Sequence, residues 1–214
     1  MRLCSGAGLS TGIDIVTAQV RERDRDRYLS VLYAPAAARP GLFALHGLDL
    51  ELSSVVAGTT EPMIGEIRLA WWREALVGLD AGRVPAQPLL QVLAAQVLPR
   101  GITGAELAGL EDRWAGLIGS DAVPAAHIGG GGLVFALAAR IGGGDPVLAR
   151  RLGALWAGAE DAPLPGIAVP LRPLLGLLRL AQRDAARRRT GAAREVRGSP
   201  ARQLRLLAAI AFGR

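Results

Sequence analysis

The sequence contains no lysine, because all 25 of its basic residues are arginine. Schiff-base chemistry on lysine and a P-loop lysine are therefore excluded. A single cysteine, Cys4, excludes a disulfide framework and a cysteine-built zinc site. Two histidines, His46 and His127, are too few for a multi-histidine metal centre.

Half of the 214 residues are hydrophobic and 21% are charged, which suffices for a globular domain. The net charge of +6 is unevenly spread. Residues 1–171 carry 14 arginines and 17 acidic residues, whereas residues 172–214 carry 11 arginines and two acidic residues. The basic character is thus C-terminal, which is typical of chains that meet anionic membranes, nucleic acid or acidic proteins.

The predicted fold class is all-α, because apolar residues recur at helical spacing and strand patterns are scarce. Two stripes that predict amphipathic helices are Leu45, Leu48, Leu52, Val55 and Ile64, Ile67, Trp71, Ala75. Helix starts are indicated by Pro62, Thr103 with Glu106, Asp145-Pro146 and Ser199-Pro200. The predicted helices span residues 15–33, 37–57, 62–79, 87–98, 104–119, 123–141, 146–158, 167–189 and 200–212.

We predict one domain with a basic C-terminal arm. Residues 1–160 form the helical domain, residues 161–170 a proline-rich linker, and residues 171–214 the arm, whose basic amphipathic helices pack on the same domain. The N-terminus shows no secretory signal, so the expected location is the cytoplasm. The charge-free run 122–139 contains a proline and four consecutive glycines, which favours a buried core helix over a membrane span.

One face of the first arm helix is basic. Its arginines are Arg172, Arg179, Arg183 and Arg187. A surface helix with solvated arginines is the plainer interpretation, and contact with a protein partner or with the inner face of an anionic membrane is the alternative. No nucleic-acid partner is expected, since the arm lacks aromatic stacking residues apart from Phe212.

Carboxylate pairs suited to magnesium are weakly represented. Asp49 and Glu51 lie two residues apart on a helix, about 200° around its axis, and do not converge on one ion. Glu22 and Asp26 have a suitable spacing, but no second pair faces them. The glycines at 129–132 follow no strand and precede no lysine, so they indicate close helix packing rather than a phosphate loop.

Aromatic residues give a further set of candidate pocket or contact residues. Trp71 and Trp72 point about 100° apart on a helix, so one is expected in the core while the other lines a groove or stacks on an arginine. Arg68 and Tyr28 complete this set. His46 lies off the leucine stripe and is interpreted as a hydrogen-bonded helix residue rather than a ligand.

The stretches RYLSVLYAPAAARPGLFALHGLDLEL and EPMIGEIRLAWWREAL resemble the squalene/phytoene synthase family. The resemblance is firm over residues 25–76, looser to about residue 156, and the C-terminal segments are similar to the ends of short bacterial members. It implies the all-α class I terpenoid (isoprenoid) synthase fold, here a shortened single-domain helical bundle. It also implies descent from prenyltransferases that ionise prenyl diphosphates with Mg²⁺.

The family's first aspartate-rich motif, Leu-Tyr-Ala-Phe-Cys-Arg-x-x-Asp-Asp-x-x-Asp, aligns with LHGLDLELSSVVA. Its tyrosine, its arginine and its three aspartates fall on His46, Leu50, Ser53, Ser54 and Ala57. The second motif has no counterpart after Trp156. The resemblance thus leaves no magnesium ligands, and no cofactor is expected. LDLEL is similar to the family branch that includes respiratory complex I assembly factors, where Asn-x-Glu-Leu stands.

Three functional hypotheses follow. The first is a non-catalytic binding or assembly scaffold, with a prenyl lipid or diphosphate in a residual pocket, a protein partner, or an anionic membrane surface. The second is an active phytoene- or squalene-type prenyltransferase that holds Mg²⁺ through Glu22 and Asp26 or through the weak candidates Asp49 and Glu51. The third is a decaying gene product without activity.

Overall fold

The computed structural model describes residues 6–120 and 122–213, and over these ranges the chain is all-α, without strands. Cys4 lies outside the described residues. The helices are α1 (Gly6–Arg23), α2 (Arg25–Leu32), α3 (Arg39–Ala57), α4 (Pro62–Asp80), α5 (Pro88–Gln96), α6 (Gly104–Ala108), α7 (Asp112–Ala115), α8 (Ala125–Gly142), α9 (Pro146–Gly158), α10 (Arg172–Arg189) and α11 (Pro200–Phe212). The architecture is consistent with an isoprenoid-synthase-type helical bundle.

Helix boundaries follow local capping chemistry where the sequence indicates it. The Asp145 side chain accepts a hydrogen bond from the backbone N–H of Val147 (2.8 Å), and Thr103 and Glu106 form a capping box. Ser199 occupies the N-cap position of α11 without a side-chain cap bond. The predicted starts at these positions are confirmed.

Three of the predicted helices differ in their bounds from the helices of the structure. The helix predicted over 15–33 is two helices, because Asp24 leaves helical geometry and its carboxylate caps α2 through the N–H of Arg27. The helix predicted over 104–119 ends at Ala108, and only the short α7 follows before Gly116. The helix predicted over 167–189 begins at Arg172, after a single 3₁₀ turn.

The core is centred on α3 and α8. The predicted leucine stripe of α3 is confirmed, since Leu45, Leu48, Leu52 and Val55 are all buried. Helix α3 packs against α1, α5 and α8, so it crosses the middle of the bundle. Burial of a leucine side chain contributes roughly 1.5–3 kcal/mol, which makes this stripe a main source of stability.

The glycines of α8 let α9 approach closely, as predicted. A Cβ on Gly131 would overlap the Cβ of Ala157 and lie 2.8 Å from the carbonyl oxygen of Gly153. A Cβ on Gly153 would in turn overlap the carbonyl of Gly131. By length and composition α8 also passes as a membrane span, but half of it is buried inside the bundle. Its contacts with α3, α7 and α9 are those of a core helix.

Helix α4 lies where predicted, but its predicted stripe faces outward. Ile64, Ile67 and Trp71 are 49%, 63% and 48% exposed, whereas Trp72 and Leu69 face the bundle and are buried. The prediction chose the wrong side because both sides of α4 are apolar. The expectation that one of the two tryptophans lies in the core is confirmed.

The arm lies against the rest of the bundle. Helix α10 packs on α2, α9 and α11, and α11 also contacts α2. Between α9 and α10, residues 160–168 have no regular secondary structure. The arm helices therefore share the core of the preceding helices through buried residues such as Leu175 and Leu178.

Candidate functional site

A polar cavity of about 320 Å³ lies between the arm and the helices beneath it. Its floor comes from α2, α3, α7 and α9, and its roof from α10, α11 and the loop between them. The charged lining residues are Asp24, Asp26, Arg27, Arg113, Asp184, Arg188, Arg194, Arg197 and Arg202. Apolar side chains, among them Leu50, Leu177 and Trp156, complete the wall.

Asp49 lies directly beneath this cavity and is fully buried. Its Oδ2 is 2.8 Å from Nη1 of Arg27, and its Oδ1 is 3.6 Å from Nε of Arg113. Trp114 donates a hydrogen bond from Nε1 to Oδ1 (2.9 Å). Burial alone would raise the pKa of Asp49, but the two arginines and the Trp114 bond lower it to about 2. The carboxylate is thus held as an anion.

The two floor arginines also stack on an aromatic wall. The guanidinium carbons of Arg27 and Arg113 lie 5.1 and 4.7 Å from the ring centroid of Trp156, within cation–π range. Trp156 in turn stacks on Phe135 (4.9 Å between centroids). Desolvation lowers the pKa of Arg113, yet guanidinium remains charged at any physiological pH. The stack therefore fixes two charges at the base of the cavity.

The roof is tied to the floor by ion pairs between distant parts of the chain. Arg202 donates from Nε to Oδ2 of Asp26 (2.9 Å) and from Nη2 to Oδ2 of Asp184 (3.1 Å). Arg197 pairs with Asp24 at 2.9 Å. The charged run RERDRDRY, residues 21–28, is thus the docking point of the arm.

The five positions aligned with the family motif fall in different environments. Ser53 and Leu50 line the cavity, and Ala57 is exposed. Ser54 donates to the carbonyl of Leu50 (3.1 Å) and accepts a hydrogen bond from Arg23. None of these side chains carries a negative charge, so they offer no carboxylate ligand to a cation.

His46, the fifth of these positions, is buried away from the cavity. No hydrogen-bond partner for its Nδ1 is found among the described residues, which differs from the hydrogen-bonded histidine expected from sequence. Desolvation and the charge of Arg27 lower its pKa to about 3, so the ring is neutral at pH 7. Its neighbours include Ser30 and Leu42 around a gap of about 20 Å³.

The remaining sequence candidates lie elsewhere. Tyr28 stacks on Phe43 (5.6 Å between centroids) and lies under the guanidinium of Arg25 (5.3 Å). Trp71 and Arg68 lie on the exposed part of α4, and Trp72 makes an edge contact with Trp71. The structure does not bring this set together into one pocket.

The predicted basic face of α10 is engaged within the chain. Arg172 donates to the carbonyl of Ala211 (2.9 Å), and Arg179 to Gln182 (2.9 Å). Arg187 donates to the carbonyl of Ala193 (2.9 Å), and Arg183 lies 3.9 Å from Glu195. Contact of this face with a membrane stays a prediction.

The proposed cation ligands have arginine partners. Glu51 pairs with Arg23 at 2.6 Å, and Asp26 is bound by Arg202 as described. Across the residues that the structure describes, no group of three or more His, Cys, Asp or Glu side chains could hold a metal ion. The geometry of the site is that of clustered guanidinium groups.

Sequence reasoning missed the residues that build the cavity after position 108. Arg113 and Trp114 lie in a segment without a motif, and Trp156 lies where the resemblance to the family ends. A signal existed for Asp49, an acid between apolar residues of a helix, because such a charge requires a buried partner. The partners themselves could not be inferred, since Arg27 lies on another helix and Trp114 lies 65 positions away.

The all-α bundle is consistent with the fold of the isoprenoid-synthase class. Residues 20–108, about two fifths of the chain, match the family model of squalene/phytoene synthase. No solved structure matches the chain.

The curated relatives that match this chain share the same protein name. "NADH dehydrogenase (ubiquinone) complex I, assembly factor 6" of Bos taurus is 30% identical over 89 residues, 41% of this chain and 27% of the relative. The protein of the same name from Homo sapiens is 33% identical over 70 residues, 33% of this chain and 21% of the relative. The chain thus matches about a quarter of the length of these relatives.

Proposed function

We propose that this protein is a non-catalytic assembly scaffold that binds a subunit of a NADH dehydrogenase complex through the outer face of α4. The observation that carries the proposal is the apolar exposed side of this helix. Met63, Ile64, Ile67 and Trp71 form it, and Met63 is 71% exposed. We call these four residues the α4 patch.

The α4 patch is unusual for the surface of a monomer. A surface helix normally turns polar residues to solvent, whereas α4 is apolar on its inner and its outer side. Methionine and tryptophan are enriched in protein–protein interfaces, and tryptophan is frequent among the residues that dominate binding energy. The patch lies within residues 20–108, the segment shared with the family.

Two further observations support binding rather than catalysis. The relatives bear the name of an assembly factor. The acidic side chains nearest to the motif positions are neutralised, Asp49 by Arg27 and Arg113 and Glu51 by Arg23. A diphosphate-ionising site needs clustered carboxylates that hold several cations, and loss of such a site removes most of the rate enhancement.

Genetic complementation tests the proposal. A strain lacking this gene is expected to contain less assembled NADH dehydrogenase, measured by native gel electrophoresis and NADH oxidation, and the wild-type gene restores it. The Ile67→Ser/Trp71→Ser double variant should fold but restore little of the complex. Val147→Ser, at a 78% exposed valine on α9, is the matched control and should restore it fully.

A photo-reactive amino acid at position 71 identifies the partner directly. Cross-links to a NADH dehydrogenase subunit from position 71, and not from position 147, are expected. Full restoration by the double variant would overturn the role of the α4 patch. Magnesium-dependent turnover of farnesyl diphosphate by the purified chain would overturn the non-catalytic function and support the prenyltransferase hypothesis.

A further inference from the structure

We propose that α4 forms a reversible, two-fold symmetric contact with a second copy of this chain, in which the bulky half of each α4 helix fills a groove beside the other. The contact covers the α4 patch, so the second copy and the NADH dehydrogenase subunit exclude each other there. That exclusion rests on the proposed function, whereas the self-association does not. Shape, symmetry and charge of the outer side of α4 support the contact.

The outer side of α4 has a bulky half and a small half. Ile64 and Ile67, in the first half of the helix, are 49% and 63% exposed. Ala75 and Gly78, in the second half, fall within about 40° of Trp71 around the helix axis, as the two isoleucines do. A groove of about 380 Å³ runs beside this second half. Its lining residues are Trp71, Glu74, Ala75, Gly78, Arg83 and Pro85.

The two halves are complementary to each other under a two-fold axis. In an antiparallel pair of α4 helices centred on Trp71, Ile67 faces Ala75 of the second copy. Ile64 likewise faces Gly78 of the second copy, so large side chains meet small residues and the groove on both sides of the axis. Such interdigitation is what packs two helices closely. Because both copies use the same surface, the contact closes as a dimer and does not propagate.

The charges beside the stripe obey the same symmetry. Arg68 and Glu74 are exposed and lie three positions before and after Trp71. Neither has an ion pair or hydrogen bond among the described residues. In the antiparallel pair, Arg68 of one copy stands at the same height along the helices as Glu74 of the other. Two ion pairs can therefore form at the edges of the contact, where unlike charges fix the register of an interface.

The sign of the charge on α4 favours a second copy over an anionic membrane. The helix carries two arginines and three acidic residues, Arg68, Arg73, Glu66, Glu74 and Asp80. A surface with a slight negative excess is not drawn to anionic lipids. One helix pair is also a small interface, which suits a dimer that dissociates and frees the α4 patch.

Sedimentation velocity of the full chain over a concentration series tests the contact. The sedimentation coefficient of the wild type should rise with concentration from that of a monomer to that of a dimer. Ile67→Ser/Trp71→Ser should remain monomeric, because it removes the central tryptophan and an isoleucine that fills the groove. Circular dichroism checks that this variant and those below are folded.

Charge reversal tests the symmetry itself. Arg68→Glu places like charges opposite each other in a pair of identical copies, and so does Glu74→Arg. Each should weaken self-association roughly tenfold or more. A mixture of the two variants should associate as the wild type does, because unlike charges again face each other at both edges. Glu66→Arg is the matched control: it makes the same charge change at an exposed position about 140° from Trp71, and should alter the Kd less than twofold.

Four results would overturn the inference. These are a wild type that stays monomeric up to about 0.1 mM, a dimer that persists in Ile67→Ser/Trp71→Ser, no association in the mixture, and equal weakening by Glu66→Arg and Glu74→Arg.

The inference and the proposed function fail separately. A wild type that is always monomeric leaves the complementation results unaffected, because a monomer presents the α4 patch. A dimer in solution together with full restoration of NADH dehydrogenase by Ile67→Ser/Trp71→Ser would overturn the role of the patch in assembly alone.

Discussion

Trp114 donates its indole N–H to the carboxylate of Asp49, and this single bond joins α3 to the segment that begins with α7, 65 positions further along the chain. The carboxylate is shared by Arg27 and Arg113, so one buried anion holds two buried cations. An acid in the middle of the family's motif helix thus has a structural role here. The charge of Asp49 offsets guanidinium groups instead of ligating a metal.

Asp49→Asn should therefore destabilise the protein severely. Asparagine keeps an acceptor for Trp114 but leaves Arg27 and Arg113 buried without a counter-charge. Removing one partner of a buried ion pair costs about 3–5 kcal/mol. Urea denaturation measures this loss as a lower transition midpoint.

The control for that variant is Glu51→Gln, two residues away. Glu51 and Arg23 are each more than a quarter exposed, so their pair contributes less than about 1 kcal/mol. Equal losses in both variants would contradict the structural role of Asp49. Loss of a measurable prenyltransferase activity in Glu51→Gln would instead favour the second functional hypothesis.

The adjacent tryptophans of α4 should respond in opposite ways to truncation. Trp72→Ala removes a buried ring and should cost about 3–5 kcal/mol of unfolding free energy. Trp71→Ala removes an exposed ring whose contact with Trp72 is worth about 1 kcal/mol. Thermal unfolding measures the stability of both variants. A larger loss of stability in Trp71→Ala would show that the outer side of α4 packs against other parts of the chain.

The glycines of α8 offer another matched pair. Gly131→Ala should destabilise the protein by about 1–3 kcal/mol or more, because the added methyl overlaps Ala157 and the backbone of Gly153. Gly129→Ala meets nothing within 4 Å and should stabilise the helix by about 0.5–1 kcal/mol. Chemical denaturation distinguishes the two, and similar values for both would contradict close packing of α8 on α9.

Stability should fall as the pH is lowered through the range in which His46 titrates. In the unfolded chain this histidine binds a proton near its ordinary pKa of 6.5, whereas in the folded protein its pKa is about 3. Between these values the unfolded state binds more protons, so unfolding is favoured as the pH falls. From pH 7 to pH 5 the loss is about 2 kcal/mol.

His46→Gln tests the source of that pH dependence. Glutamine does not titrate, so the variant should show a flatter profile of unfolding free energy between pH 7 and pH 5. Asp49 contributes only below its unfolded pKa of 3.8. Burial also lowers the pKa of His127, so this second histidine keeps part of the slope in the variant. An unchanged slope in His46→Gln would assign the effect to another group.

Release of the arm should follow loss of Arg202. Arg202→Met removes the partner of Asp26 and Asp184 from a nearly buried site, and should cost about 3 kcal/mol. Hydrogen exchange should rise across α10 and α11 more than in α3. Arg205→Met is the control: among the described residues Arg205 pairs with Glu195 alone, its side chain is 36% exposed, and its loss should have little effect.

Features of the fold that depend on residues close together in the sequence could be predicted. Features that depend on contacts between distant residues could not. The stripe from Leu45 to Val55 and the cap at Asp145 follow from spacings of a few residues. The outward side of α4 could not be predicted, because Trp71 and Trp72 are equally apolar and only tertiary contacts choose between them. The cavity depends on pairs such as Asp26 with Arg202, which no local pattern indicates.

The ion pair between Asp26 and Arg202 joins residues that lie 176 positions apart, so it cannot form until nearly the whole chain has been synthesised. Synthesis proceeds from the N-terminus, so the floor of the cavity is made long before its roof. A nascent or truncated chain that stops before residue 197 has Asp24 and Asp26 but none of their arm partners. The ion pairs that join the arm to Asp24 and Asp26 therefore form only after the arm has been synthesised.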